Sequence, residues 1–172
     1  MDRVAIFVDA GNMFYAQKEN GWWIDWKRAF QYFTDNRYLY GAYYFTATPP
    51  AERNEQLIKY RGFRKFLIAT GYKVIDKEVR IGTDSATGKS MEKGNLDIEL
   101  VFHMMVAPDK WDEAVIFGCD VDYAPIFEHL RNIGKRIKVV GIRKMTSLDL
   151  INAASEYVEL NDIKSRIEKG MK

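Results

Sequence analysis

Cysteine is nearly absent from this sequence. A single one, Cys119, stands in 172 residues, which excludes an intramolecular disulfide framework and a cysteine-based zinc cluster. Net charge is also small, because 26 Lys and Arg side chains against 24 Asp and Glu leave only +2. Composition therefore exerts no global pull toward nucleic acid, and such a partner must be argued from local features. Long apolar runs are missing as well. The longest uncharged apolar stretch, Leu100–Pro108, is about half a membrane span. No signal-peptide architecture precedes the first apolar run, since Met1-Asp2-Arg3 passes straight into Val4–Val8. These absences predict a cytoplasmic protein with no membrane partner.

Apolar content is ample, with 47% hydrophobic and 14% aromatic residues, and this excludes intrinsic disorder. A chain of this length can bury roughly 70% of its unfolded surface around one core. One domain over 1–172 is expected, with a core at about 4–160 and a terminal helix at about 161–172. Five apolar residues, Val4–Val8, bounded by charge and then by Asp9-Ala10-Gly11-Asn12, read as a fully buried strand. Tyr38–Thr46, Tyr72–Ile81, Ala114–Phe117 and Ile137–Val140 are the other strand candidates, the third of them alternating like an edge strand.

Helices are predicted from Asp25, as N-cap, to about Thr34, and over Ala51–Thr70, Leu96–Val106, Ala124–Ile133 and Ser147–Ala154. In the second, Gln56, Tyr60, Phe63 and Leu67 share a face. Leu96–Val106 is apolar almost all round and predicts a buried helix. "IATGYKVI" and "LRNIGKRIKVV" each show a helix end, a glycine and a β-branched strand. That grammar argues for βαβ units, hence an α/β fold with a parallel sheet between helices. Ligands then bind outside the carboxyl ends of the strands, where strand order reverses.

Acids stand at those ends. Asp9 closes "VAIFVDAGN", and Asp120 and Asp122 follow "AVIFG"; Asp97 lies in the first turn of the Leu96–Val106 helix. Two unit charges 4 Å apart cost about 4 kcal/mol at an effective dielectric near 20. Convergent acids thus call for a proton or a divalent cation, and oxygen-only ligands favour Mg²⁺ or Mn²⁺ over zinc. Each Asp taken singly is equally readable as a turn former or helix cap.

Three segments, "VAIFVDAGNMFYA", "KGNLDIELVFHMM" and "AVIFGCDVDYAPIFEHLRNIGKRIKVVGI", resemble in order and spacing the NYN domain family. These are PIN-like nucleases that include the LabA-like bacterial proteins. The resemblance runs from about Val4 to Leu160 and implies a three-layer Rossmann-like sheet with a Mg²⁺- or Mn²⁺-dependent ribonuclease site. By position, Asp9 matches the family's first-strand aspartate and Asn12 the polar residue after it. Asp97 matches the aspartate after the Lys-Gly step, here Lys93-Gly94. Asp120 and Asp122 match the acids of a Ser-Gly-Asp-Ser-Asp-Phe setting, which here reads Gly118-Cys119-Asp120-Val121-Asp122-Tyr123. Polar groups that would orient a phosphate or a metal-bound water are therefore missing.

The resemblance implies that Asp9, Asp97 and Asp120 hold the metal, that Asp122 completes the catalytic set, and that Asn12 and Lys93 bind substrate. Arg61, Arg64 and Lys65 fall together on one helix face and are candidate RNA-backbone contacts or an ordinary solvated face. Lys135, Arg136, Lys138, Arg143 and Lys144 form a second basic group. Trp22, Trp23 and Trp26 could stack bases, or serve as a hydrophobic anchor or a homodimer contact. Gly82–Ser90 imitates a phosphate-binding loop, but five residues, not four, separate Gly82 from Gly88-Lys89-Ser90. A mobile polar loop beside the acidic site is the better reading. His103 and His129 read as structural, and buried Cys119 as a packing residue.

An RNA-cleaving enzyme is the first reading, and a non-catalytic RNA-binding or regulatory module of the same fold is the second. An apolar strand followed by Asp-x-Asp is also similar to haloacid-dehalogenase-like phosphatases. Those need further signature elements and a cap after Asp122, which cannot be placed.

Overall fold

The structure, a computed structural model, describes residues 2–83, 90–93 and 95–170. Most of the polar stretch Gly82–Ser90 lies outside the described residues. The main elements are β1 (Arg3–Asp9), α1 (Ala10–Asn20), α2 (Trp26–Thr34), β2 (Tyr38–Thr48), α3 (Asn54–Thr70) and β3 (Tyr72–Glu78). A short pair, β4 (Arg80–Thr83) and β5 (Ser90–Lys93), precedes α4 (Asp97–Met105), β6 (Glu113–Phe117) and α5 (Ala124–Asn132). Then come β7 (Arg136–Gly141), α6 (Leu148–Ala153), β8 (Glu156–Glu159) and α7 (Lys164–Ile167).

Six strands form one sheet in the order β3-β2-β1-β6-β7-β8, and every pairing in it is parallel. With β4 and β5 set aside as a separate antiparallel pair, this is the doubly wound Rossmann order. The α/β expectation holds.

Side-chain alternation along β1 explains the three layers. Val4, Ile6 and Val8 join one core with Met13 and Ala16 of α1, Trp26, Ala29 and Phe33 of α2, and Ile167 of α7. Ala5 and Phe7 join the other, with Leu100 and Met104 of α4, Phe127 and Leu130 of α5, and Leu150 of α6. A strand buried on both faces must be apolar without a break, as Val4–Val8 is.

Several boundaries differ from the sequence expectation. The strand expected over Tyr72–Ile81 stops at Glu78, because the backbone leaves the main sheet and Arg80–Thr83 pairs with β5 instead. Helix α1 was not foreseen. Its pattern is inverted for an amphipathic helix, since Phe14 and Tyr15 are exposed while Gln17 is buried. Burial of Gln17 is compensated: its amide donates to the Met13 carbonyl at 2.8 Å and accepts from the Ile24 N–H at 2.8 Å. The helix over Leu96–Val106 is two-faced rather than buried all round. Leu100 and Met104 enter the core, but Ile98, Phe102 and Val106 are exposed. It lies in an outer layer, so only one face meets the sheet.

Asp25 caps α2 as expected, its Oδ1 accepting from the Lys27 and Arg28 N–H groups. The two helix–glycine–strand joints also hold, with positive φ at Gly71 (120°) and Gly134 (86°). A Cβ on Gly71 would in addition stand 2.9 Å from Phe30 Cζ. Gly71→Ala is therefore expected to destabilise the fold by about 1–3 kcal/mol, measured as a lowered urea midpoint with an unchanged slope.

The second basic group is divided by β7, which carries the chain across the sheet. Lys135 and Arg136 stand at its start, where Arg136 pairs with Glu113 and Asp2. Arg143 and Lys144 lie beyond its far end, and Lys144 pairs with Glu19. The five cations do not form one patch.

Candidate active site at the carboxyl edge of the sheet

Strand order reverses between β1 and β6, whose following helices pack on opposite faces. A crevice opens outside their carboxyl ends for that reason. It is a cleft of ≈ 330 Å³ whose wall includes Asp9, Asn12, Asp97, Asp120 and Tyr123, with Tyr15 and Met145 at its rim. Three acids separated by 88 and 23 positions in the chain (97 − 9 and 120 − 97) thus line one space.

Local structure positions each of them. Asp9 ends β1 and caps α1, its Oδ1 accepting from the Asn12 N–H at 3.0 Å. Its Oδ2 accepts from Asn12 Nδ2 at 2.7 Å and from the Tyr123 hydroxyl at 2.9 Å. Asn12 also reaches β6: its Oδ1 accepts from the Cys119 N–H at 2.9 Å. Both ends of the Asn12 amide are thus engaged inside the protein, which makes it a tie between the two strand ends. Asp120 caps a short 3₁₀ turn, its Oδ1 accepting from the Asp122 N–H at 3.0 Å. Asp97 opens α4, and its backbone N–H is held at 2.7 Å by the Asn95 side-chain oxygen.

Tyr123 supplies the most informative contact. Its hydroxyl lies 2.9 Å from Asp9 Oδ2 and 2.8 Å from Asp97 Oδ1. Burial first, then the charge of Asp9, push this phenol far above its usual range, so it keeps its proton. Shared between two carboxylate oxygens, its single hydrogen satisfies neither fully. A further proton on a carboxyl or a cation among the oxygens would ease the crowding of the two carboxylates. Asp9 shows the same pressure. Its burial raises its pKa against the lowering pull of the Asn12 N–H and the Tyr123 hydroxyl, and the charges of Asp97 and Asp120 add to the rise.

An all-oxygen donor set of three aspartates fits a hard divalent cation such as Mg²⁺ or Mn²⁺. Among the described residues no three acidic, histidine or cysteine groups are drawn up around a single point. Asp9, Asp97 and Asp120 line one cleft and are the residues that would hold such an ion.

Other candidates are placed elsewhere. Asp122 is exposed and outside the cleft lining. Its visible role is the backbone N–H that fixes Asp120. Arg64 is engaged by Asp76 at 2.8 Å, where Tyr60 also donates. Arg61 and Lys65 are exposed on α3 and do not line the cleft. Lys93 lies on β5, paired opposite Arg80, and its side chain is not among the described ones. Trp22 and Trp26 are buried, which leaves Trp23 as the exposed member of that trio. Cys119 is buried, and burial raises its thiol pKa, so it is no nucleophile. His103 packs on Tyr43 and Phe45, a structural placement.

Sequence reasoning missed Tyr123 and Asn95 as parts of the site. Both stand next to its acids, one directly after Asp122 and one two residues before Asp97, and their hydroxyl and amide groups were the available signal.

Similarity to known proteins is extensive. A family model described as "NYN domain" matches residues 3–161. The chain is 38% identical over 170 residues to the "Low amplitude and bright protein LabA" of Synechococcus elongatus, covering 97% of this chain and 88% of that protein. In fold it is similar to a crystal structure of a protein of unknown function from Vibrio parahaemolyticus. The TM-score there is 0.80 at 19% identity, over 98% of this chain and 96% of the other. Acids at the end of β1, at the start of α4 and in the turn after β6, with a family match over nearly the whole length, lead to one assignment: the chain belongs to the NYN domain family.

Proposed function

We propose that this protein is a Mg²⁺- or Mn²⁺-dependent ribonuclease that hydrolyses phosphodiester bonds of cytoplasmic RNA. One observation carries the reading: carboxylates from β1, α4 and the turn after β6 open onto a single cleft at the sheet's crossover point. A cation held by Asp9, Asp97 and Asp120 would supply polarisation of the scissile phosphate and a lowered pKa for an attacking water. The chain's own residues do the positioning. Asn12 fixes the Asp9 carboxylate and ties it to β6, Asn95 holds the start of α4 under Asp97, and the Asp122 N–H orients Asp120.

A second reading, RNA binding without turnover, is favoured by the same turn. Cys119 and Val121 flank Asp120 with no hydroxyl, and Tyr123 already occupies oxygens of two acids.

The two separate in one experiment. The purified protein, given 5′-labelled single-stranded RNA with Mn²⁺, is expected to release shorter products, and EDTA is expected to abolish the cleavage. Binding that persists with no product at any Mn²⁺ or Mg²⁺ concentration would replace the first reading by the second.

A further inference from the structure

A second hollow adjoins the acidic cleft. It encloses ≈ 490 Å³ and shares Gly11, Tyr15, Thr46 and Ala47 with the cleft wall, so the two are continuous. Its character is different. Phe14, Tyr15 and Trp23 stand 47%, 63% and 49% exposed at its mouth. Phe14 is the centre of this group, with ring centroids 5.5 Å from Tyr15 and 6.0 Å from Trp23. These are large apolar faces left in water, not core residues that happen to reach the surface.

Cations attend them. Lys18 Nζ lies 5.5 Å from the Phe14 ring centroid, and Lys169 lines the hollow. No acid is among the described residues that line the hollow. Aromatic faces with nearby lysines, opening beside a phosphate-processing site, match what an unpaired nucleobase and its backbone require. Bases stack on aromatic rings with little sequence preference, while cations accompany the phosphates.

We propose that this aromatic hollow is a nucleobase subsite. It would seat an unstacked base of a single-stranded RNA next to the phosphate held in the acidic cleft. The proposal rests on the ribonuclease reading for the identity of the polymer and deepens it by naming the substrate class. A base inside a duplex has both faces covered by its neighbours and cannot enter, so the site selects single strands. It also explains the inverted pattern of α1, whose Phe14 and Tyr15 face outward at the cost of an apolar seam.

The test needs no turnover. Fluorescence anisotropy of a short labelled oligoadenylate is measured in EDTA for the wild type, Trp23→Ala, Trp23→Tyr and Phe14→Ala. Trp23→Ala and Phe14→Ala are each expected to weaken binding by about tenfold, with Trp23→Tyr near the wild type, as stacking on one ring would give. A blunt-ended duplex of the same length is expected to bind more weakly than the single strand and to respond to none of the substitutions. Both alanine variants binding like the wild type would overturn the proposal. So would a sedimentation shift from dimer to monomer in Trp23→Ala, which would make the hollow a contact between copies. If the hollow governs RNA binding but no metal-dependent cleavage follows, the subsite stands and the ribonuclease reading falls. Metal-dependent cleavage that is indifferent to Trp23 and Phe14 gives the reverse.

Discussion

Asp120→Asn is expected to lower Mn²⁺-dependent RNA cleavage by on the order of 10³-fold while leaving the fold intact. The two halves of this expectation have separate physical grounds. Asp120 uses Oδ1 to cap the turn after β6, and asparagine caps as well as aspartate. Thermal unfolding without metal should therefore move by no more than about 2 °C. The negative charge, by contrast, is one of three available to a divalent cation in the cleft. Its loss should appear first in calorimetric Mn²⁺ titration as weakened affinity, and then in cleavage. Full activity in Asp120→Asn, with clean protein and undiminished metal dependence, would remove Asp120 from the site. Asp120 is a cleaner probe than Asp9 or Asp97. Those two carboxylates meet side-chain amides and the Tyr123 hydroxyl, so an asparagine there would set donor against donor.

Glu113→Ala is expected to cost about 2–4 kcal/mol of stability, a large effect for a residue far from the acidic cleft. Glu113 begins β6 at the opposite edge of the sheet and is 5% exposed. Arg37 lies 2.7 Å away, Arg136 3.2 Å and Lys138 3.6 Å. Removing the carboxylate leaves several partly buried cations without their shared partner, although Lys138 keeps Glu156 at 3.1 Å. The cations are not fully buried, which places the cost below that of a dry ion pair.

A pH dependence follows. Burial alone would raise the Glu113 pKa, but the Arg37 hydrogen bond and the charges of Lys138 and Arg37 outweigh it and hold the carboxyl below its usual value. A depressed folded-state pKa stabilises the native form at any pH above the unfolded value, which for glutamate is about 4.3. That contribution is lost as pH falls through the folded value. Asp112 behaves alike, since the Arg3 guanidinium and backbone N–H hold its carboxyl well below the carboxylate range. Melting temperature should thus be flat near neutrality and decline below about pH 4.3. In Glu113→Gln the decline should be shallower; an identical acid limb would show that Glu113 does not contribute to it.

Much of the fold is legible in the sequence because its strongest signals are local. A strand buried on both faces has to be continuously apolar, and Val4–Val8 is. A helix that ends before a strand needs a residue free to take positive φ, and Gly71 and Gly134 mark two such joints. Asp25 announces α2 by the ordinary chemistry of a cap. Failures occurred where tertiary contacts override local pattern. Helix α1 buries Gln17 through two specific hydrogen bonds and turns Phe14 and Tyr15 outward. No periodicity argument finds such a helix.

The site divides in the same way. The net charge of +2 is silent on this arrangement, because Asp9, Asp97 and Asp120 line one cleft while acids such as Glu113 and Asp76 pair with bases elsewhere. Sequence alone determined the parallel α/β class, the acids that follow its strands, and the exclusion of an intramolecular disulfide, because each is read from residue identity or from residues adjacent in the chain. Only the tertiary structure decided that Asp9, Asp97 and Asp120 share a cleft while Asp122 stands outside it. It alone engaged Arg64 with Asp76, and put one tyrosine proton between two carboxylates. Those facts depend on strand order and on side-chain direction across distant segments, and a linear pattern carries neither.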